Sequence, residues 1–217
     1  MVFRFNEPSS KADVMRTLSF YFDFVSPYAY LSFKRVVRNA KYYDLVLEPW
    51  PVDLAALKLM AGNTGPATRD IPIKLKHLRV DMQRWASLSG LPLTPPQGYG
   101  SGRLNKGAFF ALDQGQAIPY IHAAWALVWG QGWAMNDDAT LKEAARGMGW
   151  DDQRFQAYVS SEEAALRLEE STRLAHERGV FGVPSLLLDD EMWWGNDRLA
   201  LFEAYLEGIT KEQRGVE

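Results

Sequence analysis

Residues 18–31 read L-S-F-Y-F-D-F-V-S-P-Y-A-Y-L, and the pattern changes in the middle of this stretch. In residues 18–24 bulky apolar residues alternate with small or polar ones, which predicts a half-buried β-strand. Ser26 and Pro27 then form a typical helix start, because serine accepts a backbone N–H and proline has a φ that suits the first turn. Apolar residues follow at spacings of three and four, so an amphipathic helix is predicted to about Tyr43. The stretch therefore predicts a strand that runs directly into a helix.

The junction at Ser26 has properties that suit anion chemistry. A helix N-terminus carries unpaired N–H groups and roughly half a positive charge, so it stabilises a thiolate or another anion. Taken alone, Ser26 is more simply read as a helix cap, since serine caps are common. The chain contains no cysteine, which excludes structural disulfides and a C-x-x-C redox centre. The junction by itself leaves both a cap and a catalytic hydroxyl open.

Length and composition exclude several classes of protein. The 217 residues are enough for one compound domain or two small ones with a substantial core. A net charge of −3 argues against nucleic-acid binding, which favours a basic surface. No apolar run approaches the roughly 18–20 residues of a membrane span. Residues 1–16 lack the apolar core of a secretory signal and are expected to form a leader. We therefore expect a cytoplasmic protein without nucleic-acid or membrane partners.

Strand patterns occur at the two ends of the chain. Residues 45–52 predict a short strand parallel to the first strand, and its prolines indicate that the strand either ends there or lies at a sheet edge. Asp53 is predicted to cap the helix that follows. Two further strands are predicted at residues 185–188 and 191–194, around an Asp-Asp turn. Asp197 is predicted to open the last helix. This order predicts an α/β fold with one open sheet.

The middle of the chain shows only helical periodicity. From Pro72 to about Arg178 the apolar residues recur at helical spacing, interrupted by loops, and one of these helices is predicted to begin at Lys106. The sheet is therefore expected to be interrupted by a helical insertion. The three histidines show no metal-ligand spacing with carboxylates, so no metal site is predicted.

Three motifs in order along the chain resemble one enzyme family. They are residues 18–31, G-V-F-G-V-P at 179–184 and W-G-N-D-R-L at 194–199. Together they resemble the 2-hydroxychromene-2-carboxylate isomerases, which are related to kappa-class glutathione transferases and more distantly to periplasmic disulfide oxidoreductases. The resemblance runs from about Leu18 to about Leu206.

The resemblance implies a thioredoxin-like core sheet that carries a large inserted α-helical domain. We expect residues 17–66 and 177–212 to form the discontinuous thioredoxin-like domain, and residues 67–176 to form the insertion. The sequence leaves the oligomeric state open, a homodimer included.

The resemblance also implies glutathione as cofactor and assigns residues to it. Ser26 would donate a hydrogen bond to the thiol sulfur and, together with the helix terminus, lower the thiol pKa. On sequence alone, Pro184 only begins an edge strand. The family carries a cis-proline there, and the preceding Val183 would pair with the cysteinyl backbone of glutathione. Asn196 and Asp197, otherwise read as helix caps, would hold the γ-glutamyl end.

Two further residues match family elements that line the active site, where they bind glutathione or the anionic substrate. Asn63 lies in G-N-T-G-P and Lys74 in I-P-I-K, and without the resemblance both would be read as solvated surface residues. Asn105 is a weaker match. His77 departs from the family, since many relatives carry a tyrosine three residues after the lysine. The residues expected to bind glutathione are Ser26, Pro27, Tyr28, Asn63, Lys74, Val183, Pro184, Asn196 and Asp197.

The reaction that the resemblance implies belongs to aromatic-ring catabolism. A cyclic hemiketal would interconvert with an open-chain benzylidenepyruvate, so the substrate would be a small aromatic carboxylate. The glutathione thiolate would add transiently to the conjugated system, permit bond rotation and leave again. Two alternatives stay open. A kappa-like transferase or peroxidase would share the glutathione residues and differ in its second pocket, and a binding protein would keep the fold without catalysis.

Overall fold

The computed structural model describes the backbone of residues 15–214 and the side chains as far as residue 210. The expected leader, residues 1–16, lies outside the described residues except for its last two. Within the described part, one sheet has the strand order β2-β1-β3-β4. Its strands are β1 (Thr17–Phe22), β2 (Val46–Pro51), β3 (Ser185–Leu188) and β4 (Glu191–Trp194). β1 is parallel to β2 and antiparallel to β3, and β3 and β4 form a hairpin.

Helices cover this sheet and fill the interval between β2 and β3. The α-helices of the described part are α1 (Pro27–Tyr42), α2 (Leu54–Met60), α3 (Pro72–Ser89), α4 (Gly102–Asp113), α5 (Ala117–Trp125), α6 (Asp138–Gly147), α7 (Asp152–Val159), α8 (Glu162–Glu177) and α9 (Leu199–Arg214). Short 3₁₀ turns occur at Thr68–Asp70 and Asn196–Arg198, and a π-helical turn at Ala126–Gly130 extends α5. Because α2 to α8 separate β2 from β3, the predicted interrupted sheet is confirmed. Within residues 15–214, no helix combines the length and apolarity needed for a membrane span.

The first strand is more deeply buried than its pattern predicted. Residues 18–22 are all buried, so the expectation of a half-buried strand was wrong. The reason is that β1 is a central strand with side chains packed on both faces. Phe20 and Phe22 pack against Trp125 on one face, and Tyr21 packs with Val52 and a small apolar cluster on the other. A strand covered on both faces does not need an apolar-polar alternation.

The elements that flank β1 follow their sequence signals. Ser26 caps α1, with its Oγ accepting from the Ala29 N–H at 3.2 Å. Asp53 caps α2 by accepting from Ala55 and Ala56. β2 lies at the edge of the sheet, as its two prolines indicated.

Two helix starts differ from the sequence prediction. α4 begins at Gly102, four residues before the predicted Lys106, because tertiary contacts fix its first turn. Asn105 in this turn is buried, accepts from the Phe24 N–H and donates to the Val52 carbonyl. Asp197 does not cap α9, which begins at Leu199 after a 3₁₀ turn. Its carboxylate instead bonds Arg198 at 2.6 Å.

An ionic cluster joins the last helix to the first. The Glu203 carboxylate of α9 accepts from Arg35, Arg38 and Asn39 of α1. The Arg35 guanidinium is the main cause of a lowered pKa at Glu203. These contacts hold α9 against α1.

Candidate functional site

A cavity of about 1230 Å³ opens where β1 ends and α1 begins. The residues that line it come from seven parts of the chain. They are the α1 junction, α2 and the loop after it, the 3₁₀ turn at Thr68–Asp70, α3, the loop before α4, the π-helical turn, and the segment from Phe181 to Val183 together with Trp194. Residues 25–63 and 181–194 thus supply one part of the wall, and residues 67–129 of the helical insertion supply the rest.

Ser26 is held rigidly at the cavity wall. It is 5% exposed, its backbone N–H donates to the Asp23 carbonyl at 2.9 Å, and its Oγ accepts the Ala29 N–H. Within the described part of the chain, neither the Ser26 hydroxyl proton nor the Tyr28 N–H has a recorded partner. The site therefore offers a hydroxyl and a helix-terminal N–H to an anionic atom.

The segment before β3 contributes backbone to the same cavity. The Val183–Pro184 peptide bond is cis, as predicted. Val183 lines the cavity together with Ser26, whereas Pro184 lies just outside its wall. No backbone hydrogen bond of Val183 is recorded among residues 15–214. The indole of Trp194 packs on Gly182 so closely that a Cβ there would lie 2.6 Å from Nε1, so only glycine fits.

The charges on the cavity wall are predominantly positive. The charged side chains lining it are Lys58, Arg69, Lys74 and Arg79, against Asp70 alone. His77 and Asn63 also line the wall. Such an excess of positive charge attracts anionic ligands.

Tyr28 is fixed by a hydrogen bond to the helical insertion. Its hydroxyl donates to the Asp81 carboxylate of α3 at 2.5 Å. Burial, followed by the charges of Asp81 and Asp197, raises the pKa of Tyr28 above its usual range. The phenol therefore remains protonated at neutral pH.

The structure brings together six of the nine residues expected to bind glutathione. Ser26, Pro27, Tyr28, Asn63, Lys74 and Val183 line the cavity, and Pro184, Asn196 and Asp197 do not. Asn196 is buried next to the lining residue Trp194, and its Nδ2 has no hydrogen-bond partner among the described residues. Asn105 does not line the cavity, because its side chain bonds the backbone of Phe24 and Val52, just after β1 and β2.

Sequence reasoning missed two parts of the site. The first is a set of aromatic and cationic side chains on the cavity wall, namely Tyr99, Trp129, Phe181, Trp194 and Arg69. Tyr99 and Phe181 lie in loops, Arg69 in a 3₁₀ turn, Trp129 in the π-helical turn and Trp194 at the end of β4, and no periodic pattern marks them as cavity wall.

The second missed residue is Asp23, which lies beneath the wall. Its carboxylate accepts from the Val25 N–H at 2.9 Å, the Leu54 N–H at 2.9 Å and the Ser101 hydroxyl at 2.5 Å. Burial raises the pKa of Asp23, against the lowering effect of these donors. An acid between Phe22 and Phe24, at the end of an apolar strand, was the signal that could have identified it.

Comparison with known proteins identifies the family. A profile of the DSBA-like thioredoxin domain matches residues 17–207. A 2-hydroxychromene-2-carboxylate isomerase from Pseudomonas putida is 41% identical over 195 residues, which are 90% of this chain and 96% of the relative. This chain belongs to the 2-hydroxychromene-2-carboxylate isomerase family.

Two further comparisons agree with this family. A solved structure of a 2-hydroxychromene-2-carboxylate isomerase matches with a TM-score of 0.88 and 40% identity, and covers 92% of this chain and 98% of the other. Glutathione S-transferase kappa 1 of Rattus norvegicus is 24% identical over 209 residues, which are 89% of this chain and 91% of the relative. The thioredoxin-like fold with its helical insertion is therefore confirmed, and membership of the isomerase family supports an isomerase. The roles of the nine residues and the domain boundaries stay predictions.

Proposed function

We propose that this protein is a glutathione-dependent isomerase that interconverts a 2-hydroxychromene-2-carboxylate-type hemiketal and an open-chain hydroxybenzylidenepyruvate. The observation that carries the proposal is the Ser26 hydroxyl at the N-terminus of α1, inside a positively charged cavity of a chain without cysteine. A site built to stabilise a sulfur anion, in a chain with no thiol of its own, needs a thiol from a cofactor. The curated relatives of the same family are named as isomerases of this substrate.

The residues of the cavity fit glutathione. The Ser26 hydroxyl and the Tyr28 N–H would hold the sulfur, and the Val183 backbone would pair with the cysteinyl unit in the manner of an added strand. The Asn196 amide, whose Nδ2 has no hydrogen-bond partner among the described residues, and the Asp197 carboxylate follow the lining residue Trp194 in the chain, and they would bind the γ-glutamyl carboxylate and ammonium. Bound glutathione supplies the thiolate that adds to the substrate and leaves again. The protein's contribution is to keep that sulfur ionised and in place.

The size of the cavity supports two ligands at once. Its volume of about 1230 Å³ exceeds the range of roughly 300–1,000 Å³ that accommodates one drug-sized ligand. Lys74 and Asn63 contact the same space as Ser26, so an anionic substrate could lie beside the sulfur. An isomerase needs this arrangement, because it must hold its substrate while the sulfur is attached.

The experiment that tests the proposal distinguishes the effect of the glutathione thiol from the effect of binding the rest of the peptide. Ring opening of 2-hydroxychromene-2-carboxylate is measured with glutathione, with S-methylglutathione and with neither. We expect turnover only with glutathione, because the methylated analogue cannot form a thiolate. Both peptides should raise the melting temperature, since a ligand at 100 times its Kd stabilises the folded state by about 2.7 kcal/mol. Equal rates in all three samples would contradict a glutathione-dependent reaction.

A further inference from the structure

Helix α3 forms a large part of the cavity wall, yet few of its own residues are buried. Its N-terminal half lines the cavity and carries Lys74 and His77. Of its 18 residues, Met82 and Ala86 are the buried ones. Their contacts are apolar, and apolar attraction is non-directional. Such contacts hold α3 on the core but set no single distance between the helix and the Ser26 junction.

The two ends of α3 are held differently. Beyond the C-terminal end, the Tyr30 hydroxyl of α1 donates to the Pro92 carbonyl at 2.7 Å, and the Thr94 N–H donates to the Trp129 carbonyl at 2.7 Å. At the N-terminal end, no side chain caps the helix. The half of α3 that lines the cavity is therefore the half with fewer directional contacts.

One hydrogen bond joins this half of α3 directly to the junction. The Tyr28 hydroxyl donates to the Asp81 carboxylate at 2.5 Å, the length expected for a hydroxyl and a charged acceptor. Among residues 15–210, it is the only recorded hydrogen bond between a side chain of α3 and another element. Tyr28 follows Ser26 by two residues, and Asp81 follows Lys74 by seven. Asp81 does not line the cavity, so it can affect a bound ligand only through Tyr28 and α3.

We propose that Asp81 is a positioning residue, which accepts the Tyr28 hydroxyl and thereby fixes the distance between α3 and the Ser26 junction. This inference rests on the proposed function for its effect on the reaction. The glutathione sulfur would be held at the junction, whereas Lys74 and His77 belong to α3. The bond thus sets the spacing between the two sides of the site. Misplacement of reacting groups by about 1 Å can cost roughly 10²-fold in rate, so a bond outside the cavity controls turnover.

The kinetic test compares a variant that breaks this bond with one that keeps it. Asp81→Leu removes the acceptor, and we expect kcat/KM for the chromene to fall about 10²-fold. Asp81→Asn retains an acceptor in its amide oxygen and should restore most of the wild-type value. The matched control is Gln83→Leu, which places the same side chain on an exposed position of α3 outside the cavity and should change nothing. A loss in Asp81→Asn as large as that in Asp81→Leu would overturn the proposal.

A double substitution tests whether Asp81 acts through Tyr28. Tyr28→Phe removes the same hydrogen bond from the donor side. Because both substitutions break one bond, adding Asp81→Leu to Tyr28→Phe should cause no further loss of kcat/KM. Losses that multiply in the double variant would mean that Asp81 acts independently of Tyr28, which contradicts the proposal.

A distance measurement separates this inference from the proposed function. The chain has no cysteine, so Lys34→Cys on α1 and Lys76→Cys on α3 provide two unique sites for spin labels, both exposed and outside the cavity. Pulsed electron paramagnetic resonance should give a narrow distance distribution in the labelled parent and in Asp81→Asn. The distribution should be broader or displaced in Asp81→Leu and in Tyr28→Phe, and the second of these serves if the first does not fold.

The distances and the rates together distinguish the two proposals. If the distances change as expected but the chain turns over no chromene, Asp81 positions α3 and the isomerase proposal fails. If the distances are the same in all four proteins, the positioning role of Asp81 is overturned, whatever the rates.

Discussion

Ser26 combines a structural role and a proposed chemical one in a single hydroxyl. Its oxygen caps α1, and its proton is the donor that we assign to the glutathione sulfur. Replacement by alanine removes both. The loss of a cap costs about 0.5–2 kcal/mol of stability, whereas loss of one positioned donor to an anion typically lowers turnover by roughly 10²–10³-fold.

We therefore expect Ser26→Ala to fold, to bind glutathione and to lose about 10²-fold or more in kcat. The matched control is Ser161→Ala, because Ser161 caps α8 with the same 3.2 Å bond and lies outside the cavity wall. That variant should show a similar loss of stability with full activity. Thermal melts and steady-state rates on both variants measure the two effects. Undiminished turnover in Ser26→Ala would mean that Ser26 acts only as a helix cap and has no role in catalysis.

At the scale of elements, Asp23 joins three parts of the chain that form the site. One buried carboxylate binds the turn that leads into α1, the first N–H of α2 and the Ser101 hydroxyl just before α4. The side chain thereby links the sheet to the helical insertion beneath Ser26. An asparagine in its place would turn an amide N–H towards one of these donors and leave it unsatisfied, at a cost of about 1–3 kcal/mol.

The pH dependence of stability distinguishes the ionisation of Asp23 from its hydrogen bonds. Burial raises its pKa above the unfolded value of 3.8, so the folded state holds this proton to higher pH than the unfolded state does. The contribution of Asp23 to the free energy of unfolding should therefore fall as pH rises from about 3.8 through the folded pKa, by at most about 1.4 kcal/mol per pH unit for one proton. Asp23→Asn lacks this proton, so the stability difference between the two should narrow over that interval. Denaturant titrations across it measure the difference. A difference that widens with pH would mean that the three donors outweigh burial.

Element by element, the sequence predicted what depends on local signals. The caps at Ser26 and Asp53, the prolines at the sheet edge and the Asp-Asp turn all act within a few residues, and each was found where expected. The start of α4 was displaced because Asn105 bonds the backbone of Phe24 and Val52, just after β1 and β2. The contact between Asn105 and Phe24 joins residues 81 positions apart in the chain, so no periodic sequence pattern indicates it.

At the scale of the whole molecule, the site lies where the two ends of the chain meet the insertion. Ser26 and Val183 could be paired in advance only through the resemblance, since nothing local to either residue indicates the other. The helical insertion could be predicted as helices, but not the way in which its loops complete the cavity. Tyr99 lies in a proline- and glycine-rich loop, so it resembled a surface residue. Trp129 lies in an apolar run, so it resembled a core residue. Their function as cavity wall arises from packing between elements, which sequence patterns do not encode.

The central claim is that this molecule uses glutathione without consuming it. The most direct measurement follows ring opening of 2-hydroxychromene-2-carboxylate and the concentration of free thiol in the same reaction, with substrate in large excess over glutathione. We predict that the chromene reaches equilibrium with its open-chain isomer over many turnovers for each glutathione, while free thiol stays constant. The same reaction run with a chlorinated aromatic should show only weak conjugation. Loss of thiol in proportion to product, with no isomerisation of the chromene, would contradict the account and would indicate a kappa-like transferase instead.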